Sequence, residues 1–404
     1  KGVSTLDQSK EVLVAPLGTP VKAIESLETK EIITTPKGET VFDLGQNMVG
    51  WIRLKVQGKA GDTLKIYHAE VLDKDGNFYT ENLRFAKQEI IYILKGEEPE
   101  IYEPTFTFMG FRYVKIEGLQ QKPAKDIITG VVIHSDIPVR GDFTCSEPLV
   151  NQLQHNIQWG QKGNFLDVPT DCPQRDERLG WTGDAQAFSA TATYNMDVAA
   201  FFTKWMADLA ADQFEDGRVP YVIPHVLGKN AAASTGWADA ATIVPWNTYL
   251  AYGDQRILEN QYESMKAWIG YMEKEAGENY LWNTGFHFGD WLFYSKNDDR
   301  DGISAVTDKY LLAQSFFAYS TNLALNTAKI LNKEEDIQYY SDLLKKVKEA
   351  YVNEYVTPNG RLVSGTQTAY VLALKFNLLP KEKEAKAVEE LVANIQRYNN
   401  HLTT

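Results

Sequence analysis

Hydrophobic positions along this chain fall into two regimes. From about Glu31 to Ser135, apolar residues alternate with polar ones in short runs separated by turn residues, the period of strands with one buried face. Thr40-Val41-Phe42-Asp43-Leu44, Gly50-Trp51-Ile52-Arg53-Leu54-Lys55-Val56 and Leu64-Lys65-Ile66-Tyr67-His68-Ala69 read as strands. So do Ile90-Ile91-Tyr92-Ile93-Leu94, Phe111-Arg112-Tyr113-Val114-Lys115-Ile116 and the run from Ile127 to Ile133, while Asp73-Lys74-Asp75-Gly76-Asn77 is a hairpin turn signal. About seven strands with no helical stretch between them predict an antiparallel β-sandwich over 31–137. Residues 1–30, polar and interrupted by Pro16 and Pro20, read as a tail or the remnant of a preceding domain.

After Pro138 the period becomes helical. Helices are predicted near 147–163, 184–195, 197–213, 238–252, 255–275, 308–331, 333–353, 367–376 and 381–398, with Gly253-Asp254 and Pro380 as boundaries. Short and long loops alternate between them, and the long loops hold the Trp, Asp and Pro residues. Consecutive antiparallel helices with such residues gathered in alternate loops point to an α/α toroid over 138–404. A plain helical bundle fits the periodicity equally well.

Charge narrows the function. With 41 basic against 54 acidic residues and a net charge of −13, the chain lacks the basic surface that phosphate backbones require, so no nucleic-acid partner is expected. No apolar run of about 18 residues marks a membrane-spanning helix. The cysteines, Cys145 and Cys172, are expected to be reduced thiols rather than a disulfide scaffold. Aromatic residues make up 12% of the chain, which favours a carbohydrate ligand only slightly, since rings also serve as core. The chain opens Lys1-Gly2-Val3, without Met or a signal-like apolar segment, so its compartment is not read from its start.

The densest chemistry lies in Asp167-Val168-Pro169-Thr170-Asp171-Cys172-Pro173-Gln174-Arg175-Asp176-Glu177-Arg178-Leu179-Gly180-Trp181-Thr182-Gly183-Asp184. Its prolines and glycines make it an irregular loop. Asp171, Asp176, Glu177 and Asp184 crowd carboxylates together, and like charges in a confined site push one carboxyl pKa upward, as a general acid needs. Trp181 adds a flat apolar face. A solvated acidic loop with ion pairs through Arg175 and Arg178 is the bland alternative. Elsewhere the signals are weaker. His134, His155, His225 and His287 lack metal-ligand spacing, and His155 reads as a packing residue. Asp298-Asp299-Arg300-Asp301-Gly302 resembles a calcium loop only loosely and reads as a surface turn. No metal and no cofactor is expected.

Residues 171–184 closely resemble the signature of bacterial α-L-rhamnosidases. The likeness extends to Phe42-Asp43-Leu44-Gly45-Gln46-Asn47, Gly50-Trp51, His68-Ala69-Glu70-Val71-Leu72 and Phe106 to Val114, which look like the family's concanavalin-type sandwich. Gly236-Trp237-Ala238-Asp239-Ala240 and Phe288-Gly289-Asp290-Trp291-Leu292 look like later loops of its (α/α)6 barrel. The resemblance implies inverting hydrolysis of terminal α-L-rhamnose from a rhamnose-containing glycoside, with Glu177 as general acid. It places Asp171, Arg175, Asp176 and Asp184 around the sugar, has Trp181, Trp237 and Trp291 form aromatic walls, and gives Asp290 a hydroxyl contact. An inverting enzyme also needs a base roughly 6.5–9.5 Å from the acid. In relatives that base is a glutamate in a later loop, and the family barrel has more helices than are predicted here. The resemblance therefore implies an incomplete toroid, inactive on its own, whose exposed helix surface a homodimer could cover. Asp239 or Asp290 is the alternative base. Another α/α-barrel glycosidase and a non-catalytic rhamnose-binding fragment are the competing functions. A cytoplasmic location follows from the resemblance alone.

Overall fold

The computed structural model describes residues 2–403 apart from 12, 14, 97 and 294–305. The Asp298–Gly302 turn therefore lies outside the described residues. The expected sandwich takes the form of one antiparallel sheet curled over its own core. Its strands are β1 (Val21–Glu28), β2 (Glu31–Thr34), β3 (Thr40–Val56), β4 (Thr63–Ala69), β5 (Glu89–Ile93), β6 (Glu100–Tyr102), β7 (Met109–Glu117) and β8 (Ile128–Ser135). The backbone order is β1-β8-β3-β7-β4-β5, with β2 and β6 also pairing β3. The long strand β3 belongs to both halves of the curl. Its first residues lie between β2 and β7, and its last between β8 and β6.

The register shifts between Asp43 and Met48, where Gly45 N–H donates to Asp43 Oδ1 at 2.7 Å. Such a bulge bends the strand and increases its twist. At Gly50 the backbone lies at φ 152°, and a side-chain carbon there would stand 1.9 Å from the Val131 carbonyl oxygen. Only glycine lets β8 approach β3 this closely. Phe42, Leu44, Ile52, Leu54, Ile66, Phe111 and Val114 fill the interior of the curl.

Residues 21–28, expected to lie in a tail, instead form edge strand β1, paired with β8 from Val21↔Ser135 to Glu28↔Thr129. Most of this strand is exposed, so it carries little apolar alternation to announce it. His155, expected to pack, is exposed and meets Gln46 Oε1 at 2.9 Å through its Nε2.

Helices follow at α1 (Pro148–Asn164), α2 (Thr182–Asn195), α3 (Ala199–Asp212), α4 (Ala240–Tyr252), α5 (Arg256–Ala276), α6 (Lys309–Ile330), α7 (Glu334–Tyr355), α8 (Gln367–Lys375) and α9 (Lys381–Arg397). A short ribbon, β9 (Phe165–Leu166) with β10 (Val168–Pro169), joins α1 to the loop before α2. Local chemistry sets the boundaries. Pro148 opens α1 at a position where its missing N–H is not needed, the Asp308 carboxylate caps α6, Thr366 caps α8, and Gly253 ends α4 in the left-handed conformation.

The packing separates a toroid from a plain bundle. Alternate helices α2, α4, α6 and α8 touch one another in series, while α3 packs on α5, and α6/α7 and α8/α9 form hairpins. Helices α4 and α6 are buried on most sides, whereas α5, α7 and α9 bury one face. An inner ring enclosed by an outer one gives that division. Trp205, Trp268, Trp282, Phe317, Tyr340 and Tyr351 lie in the core between the layers. Helix α1 rests on β3 and β8, so the sheet is docked against the start of the helical region.

Candidate active site

The loop between β10 and α2 is closed by its own backbone. Asp171 N–H donates to Leu179 O at 3.1 Å, and Leu179 N–H returns a bond to Asp171 Oδ1 at 3.2 Å. Gly180 O accepts from Ile223 N at 2.8 Å, and Thr182 donates to Tyr221 O through both N–H and Oγ1, at 2.9 and 3.0 Å. These bonds fix both ends of the acidic segment and start α2 at Thr182. Asp184 sits in the first turn of α2, where the helix dipole favours a negative charge.

Two further loops meet this one. Thr235 N–H donates to His287 Nδ1 at 3.1 Å, which leaves the proton on Nε2 to reach Thr284 O at 3.0 Å. Phe288 N–H donates to Ser234 Oγ at 3.1 Å. The loop before α4 and the segment 284–292 are thus tied together. Asp239 secures the first of them from behind: its carboxylate accepts from Gly236 N, Trp268 Nε1 and Ser320 Oγ at 2.8, 3.0 and 2.6 Å.

The result is a cavity of 430 Å³ lined by Asn82, Arg84, Asp171, Arg175, Glu177, Trp181, Asp184, Trp237, Phe288, Trp291 and Leu292. One wall is aromatic and centred on Phe288, whose ring meets Trp237 at 4.5 Å, Trp291 at 5.5 Å and Trp181 at 6.2 Å between centroids. Trp237 lies on the first turn of α2, where a side-chain carbon on Gly183 would stand 2.6 Å from the indole. Trp181 Nε1 is buried and has no partner among the described residues.

The opposite wall is charged. Arg175 binds Glu177 Oε2 through Nε and Nη2, each at 2.7 Å, and Arg84 Nη2 stands 3.3 Å from the same oxygen. Burial pushes the Glu177 carboxyl up, but the Arg175 hydrogen bond, a hydrogen bond with Asp171 and the charges of Arg175 and Arg84 outweigh it and hold Glu177 below its usual value. Asp171 moves the other way. Burial first, then its hydrogen bond with Glu177 and the Glu177 charge, push it up to about 6 despite opposing bonds from Cys172 and Leu179. Crowded carboxylates do raise one member of the pair, as the sequence predicts, and that member is Asp171. Asp184 is also raised, by desolvation and then by the Glu177 charge.

Asp171, Cys172 and Glu177 place three potential ligand atoms within 4.8 Å of one another. Burial pushes the Cys172 thiol up to about 11, keeping it protonated, and two guanidinium groups already hold Glu177. Those positive charges oppose a further cation at this point. Both cysteines are free.

The structure therefore gathers Asp171, Arg175, Glu177, Trp181, Asp184, Trp237 and Trp291 around one cavity. Asp176 faces Arg84 instead, with Arg84 Nε and Nη2 both 2.8 Å from its Oδ1. Asp290 is buried and accepts from Thr307 N and Oγ1, so it supports the loop without lining the cavity. Sequence reasoning did not select Phe288, Leu292, Asn82 or Arg84. Phe288 and Leu292 belong to the 288–292 stretch that resembles a family loop. Asn82 and Arg84 lie in an irregular segment of the sheet region that carries no periodic signal.

This combination of a curled sheet, α/α hairpins and a carboxylate-and-indole cavity at the hairpin loops defines a glycosidase architecture. Comparison with known proteins gives the family. Residues 33–134 match the bacterial alpha-L-rhamnosidase concanavalin-like domain, and residues 138–404 match the bacterial alpha-L-rhamnosidase 6 hairpin glycosidase domain. An alpha-L-rhamnosidase of Streptomyces avermitilis is 43% identical over 98% of this chain, and one of Formosa agariphila 44% over 96%. The crystal structure of the Streptomyces avermitilis enzyme complexed with L-rhamnose superposes with a TM-score of 0.90 over 97% of this chain and 37% of that one. That of the Aspergillus terreus enzyme does so with a TM-score of 0.93 at 37% identity, over 99% of this chain and 46% of that one. The chain belongs to the bacterial α-L-rhamnosidase family. It spans 37% and 41% of the lengths of the Streptomyces and Formosa relatives. Among the described residues, no helix is long and apolar enough to cross a membrane.

Proposed function

We propose that the protein containing this chain hydrolyses terminal α-L-rhamnosides with inversion, and that Glu177 is the general acid. The observation that carries this reading is the joint placement of Glu177, Asp171 and Asp184 opposite the Trp181–Trp237–Phe288–Trp291 wall in one cavity. A 6-deoxy sugar presents a methyl group and ring C–H groups to such a wall, while its hydroxyls donate to carboxylates.

The charged wall also supplies the proton economy. Arg175 and Arg84 hold Glu177 as a carboxylate, and the adjoining Asp171 keeps its proton until about pH 6. In this reading the Asp171 proton passes to Glu177 and from there to the glycosidic oxygen, so that the departing alcohol leaves neutral. A base must act from the far side of the sugar. Asp239 and Asp290 do not fit that task, since both carboxylates are buried and already engaged by protein donors outside the cavity.

The test is hydrolysis of p-nitrophenyl α-L-rhamnopyranoside by this chain and by a C-terminally extended form, each with and without Glu177→Gln. Rhamnoside cleavage that falls by about 10²–10⁴-fold in the variant is expected. Cleavage of the corresponding glucoside in its place, or full activity of Glu177→Gln, would overturn the assignment.

A further inference from the structure

Glu177 is gripped by two guanidinium groups of separate origin. Arg175 is its near neighbour in the same loop. Arg84 arrives from the sheet, in the connection between β4 and β5, and crosses the boundary between the two regions of the molecule.

The backbone around Arg84 is built to aim it. A 3-10 turn at Glu81–Leu83 is anchored by the buried Leu83 side chain, and Leu83 N–H donates to Thr80 O at 3.0 Å. Asn82, which lines the same cavity, donates from Nδ2 to Glu70 Oε2 at 3.2 Å. Arg84 itself has φ 54°, a conformation that favours glycine. Its Nε and Nη2 hold Asp176 Oδ1, and Nη2 also reaches Glu177 Oε2. Arg84 is half-exposed, and a solvent-screened ion pair of this kind adds little to stability. A non-glycine residue in that backbone region, directing a cation onto a cavity carboxylate, points to function instead.

The geometry also selects one oxygen. The contacts of Arg175 and Arg84 both go to Glu177 Oε2, while Asp171 shares a further hydrogen bond with this carboxyl. We propose that Arg84 is a positioning residue for the general acid: anchored on Asp176, it lets the sheet fix Glu177 Oε2 and turn Oε1 toward the glycosidic oxygen. This rests on the assignment of Glu177 as the acid. It gives Asp176 the task of holding Arg84 and makes the sheet part of the active site. Among the described residues, the charged and titratable groups facing Glu177 are Arg84, Asp171, Arg175 and Asp184, with Asp176 behind Arg84 and Cys172 beside Asp171.

Titration of the Glu177 carboxyl by carbon-13 NMR tests this in the chain as it stands, with the resonance assigned by its loss in Glu177→Gln. Arg84→Gln removes a positive charge, so Glu177 is expected to titrate higher by on the order of half a pH unit. Arg84→Lys keeps the charge without the fork that spans both carboxylates, and is expected to restore the titration in part. In the extended, active form, Arg84→Gln is expected to lower kcat about tenfold with KM little changed, and to move the alkaline limb of the pH profile upward. An unmoved Glu177 titration overturns the proposal. So does a lowered thermal midpoint with kcat and the pH profile unchanged, which would make Arg84 merely structural. A wild-type protein that does not cleave rhamnosides would sink the activity reading, while the titration separately decides whether Arg84 grips Glu177.

Discussion

Asp171 and Glu177 belong to one short loop, yet their surroundings drive them apart. Asp171, pushed up to about 6 by burial and then by Glu177, keeps a proton in the folded chain where an unfolded aspartate, near about 3.9, has lost it. Between about pH 4 and 6 the native state therefore binds more protons than the unfolded state, and this contribution to stability falls as the pH rises through that window. Glu177, held low by its arginines, acts with the opposite sign. Its contribution is present above the ordinary glutamate range and is lost as the pH falls through its depressed folded value. Asp171→Asn is expected to flatten the decline in the urea midpoint over about pH 4 to 6. An unchanged slope would place the retained proton on another group.

At the scale of elements, the site depends on how closely α2 approaches the loop before α4. Gly183 is the point of contact, since a methyl group there meets the Trp237 indole at 2.6 Å. The indole is pinned between α2 and Phe288 and has little room to yield. Gly183→Ala is expected to destabilise the fold by about 1–3 kcal/mol, as overpacking does. It should also weaken rhamnose binding, measurable by denaturant melts beside calorimetry. A stable variant with unaltered affinity would show that Trp237 is not a fixed wall.

The same contacts explain what the sequence disclosed. Outer helices such as α5 and α7 bury one face and carry a clear helical period, and Gly253 and Pro380 mark boundaries as read, whereas the caps at Asp308 and Thr366 emerge only in the structure. Strand β1 leaves no pattern in the sequence because an edge strand exposed on most of its length needs no alternation. Asp290 and Trp291 stood out as residue types, whereas the ring at the centre of the wall is Phe288, which only packing reveals. Arg84 was hidden for a deeper reason: its partners Asp176 and Glu177 are distant in sequence, and the segment between β4 and β5 has no period.

Over the whole molecule, the cavity is a shared product of sheet and toroid. Asn82 and Arg84 come from the sheet region, the acids and Trp181 from the loop before α2 and the first turn of that helix, and Trp237, Phe288 and Trp291 from the loops before α4 and α6. Neither region encloses the site alone. The proposed rhamnose site draws on all three sources, and direct calorimetry tests it without requiring turnover. L-rhamnose titrated into this chain is predicted to bind at the cavity, with affinity lowered at least about tenfold in Trp181→Ala, as loss of a stacking face implies, and with no measurable heat for D-glucose. Undiminished rhamnose binding by Trp181→Ala, or equal binding of glucose, would contradict the proposed site.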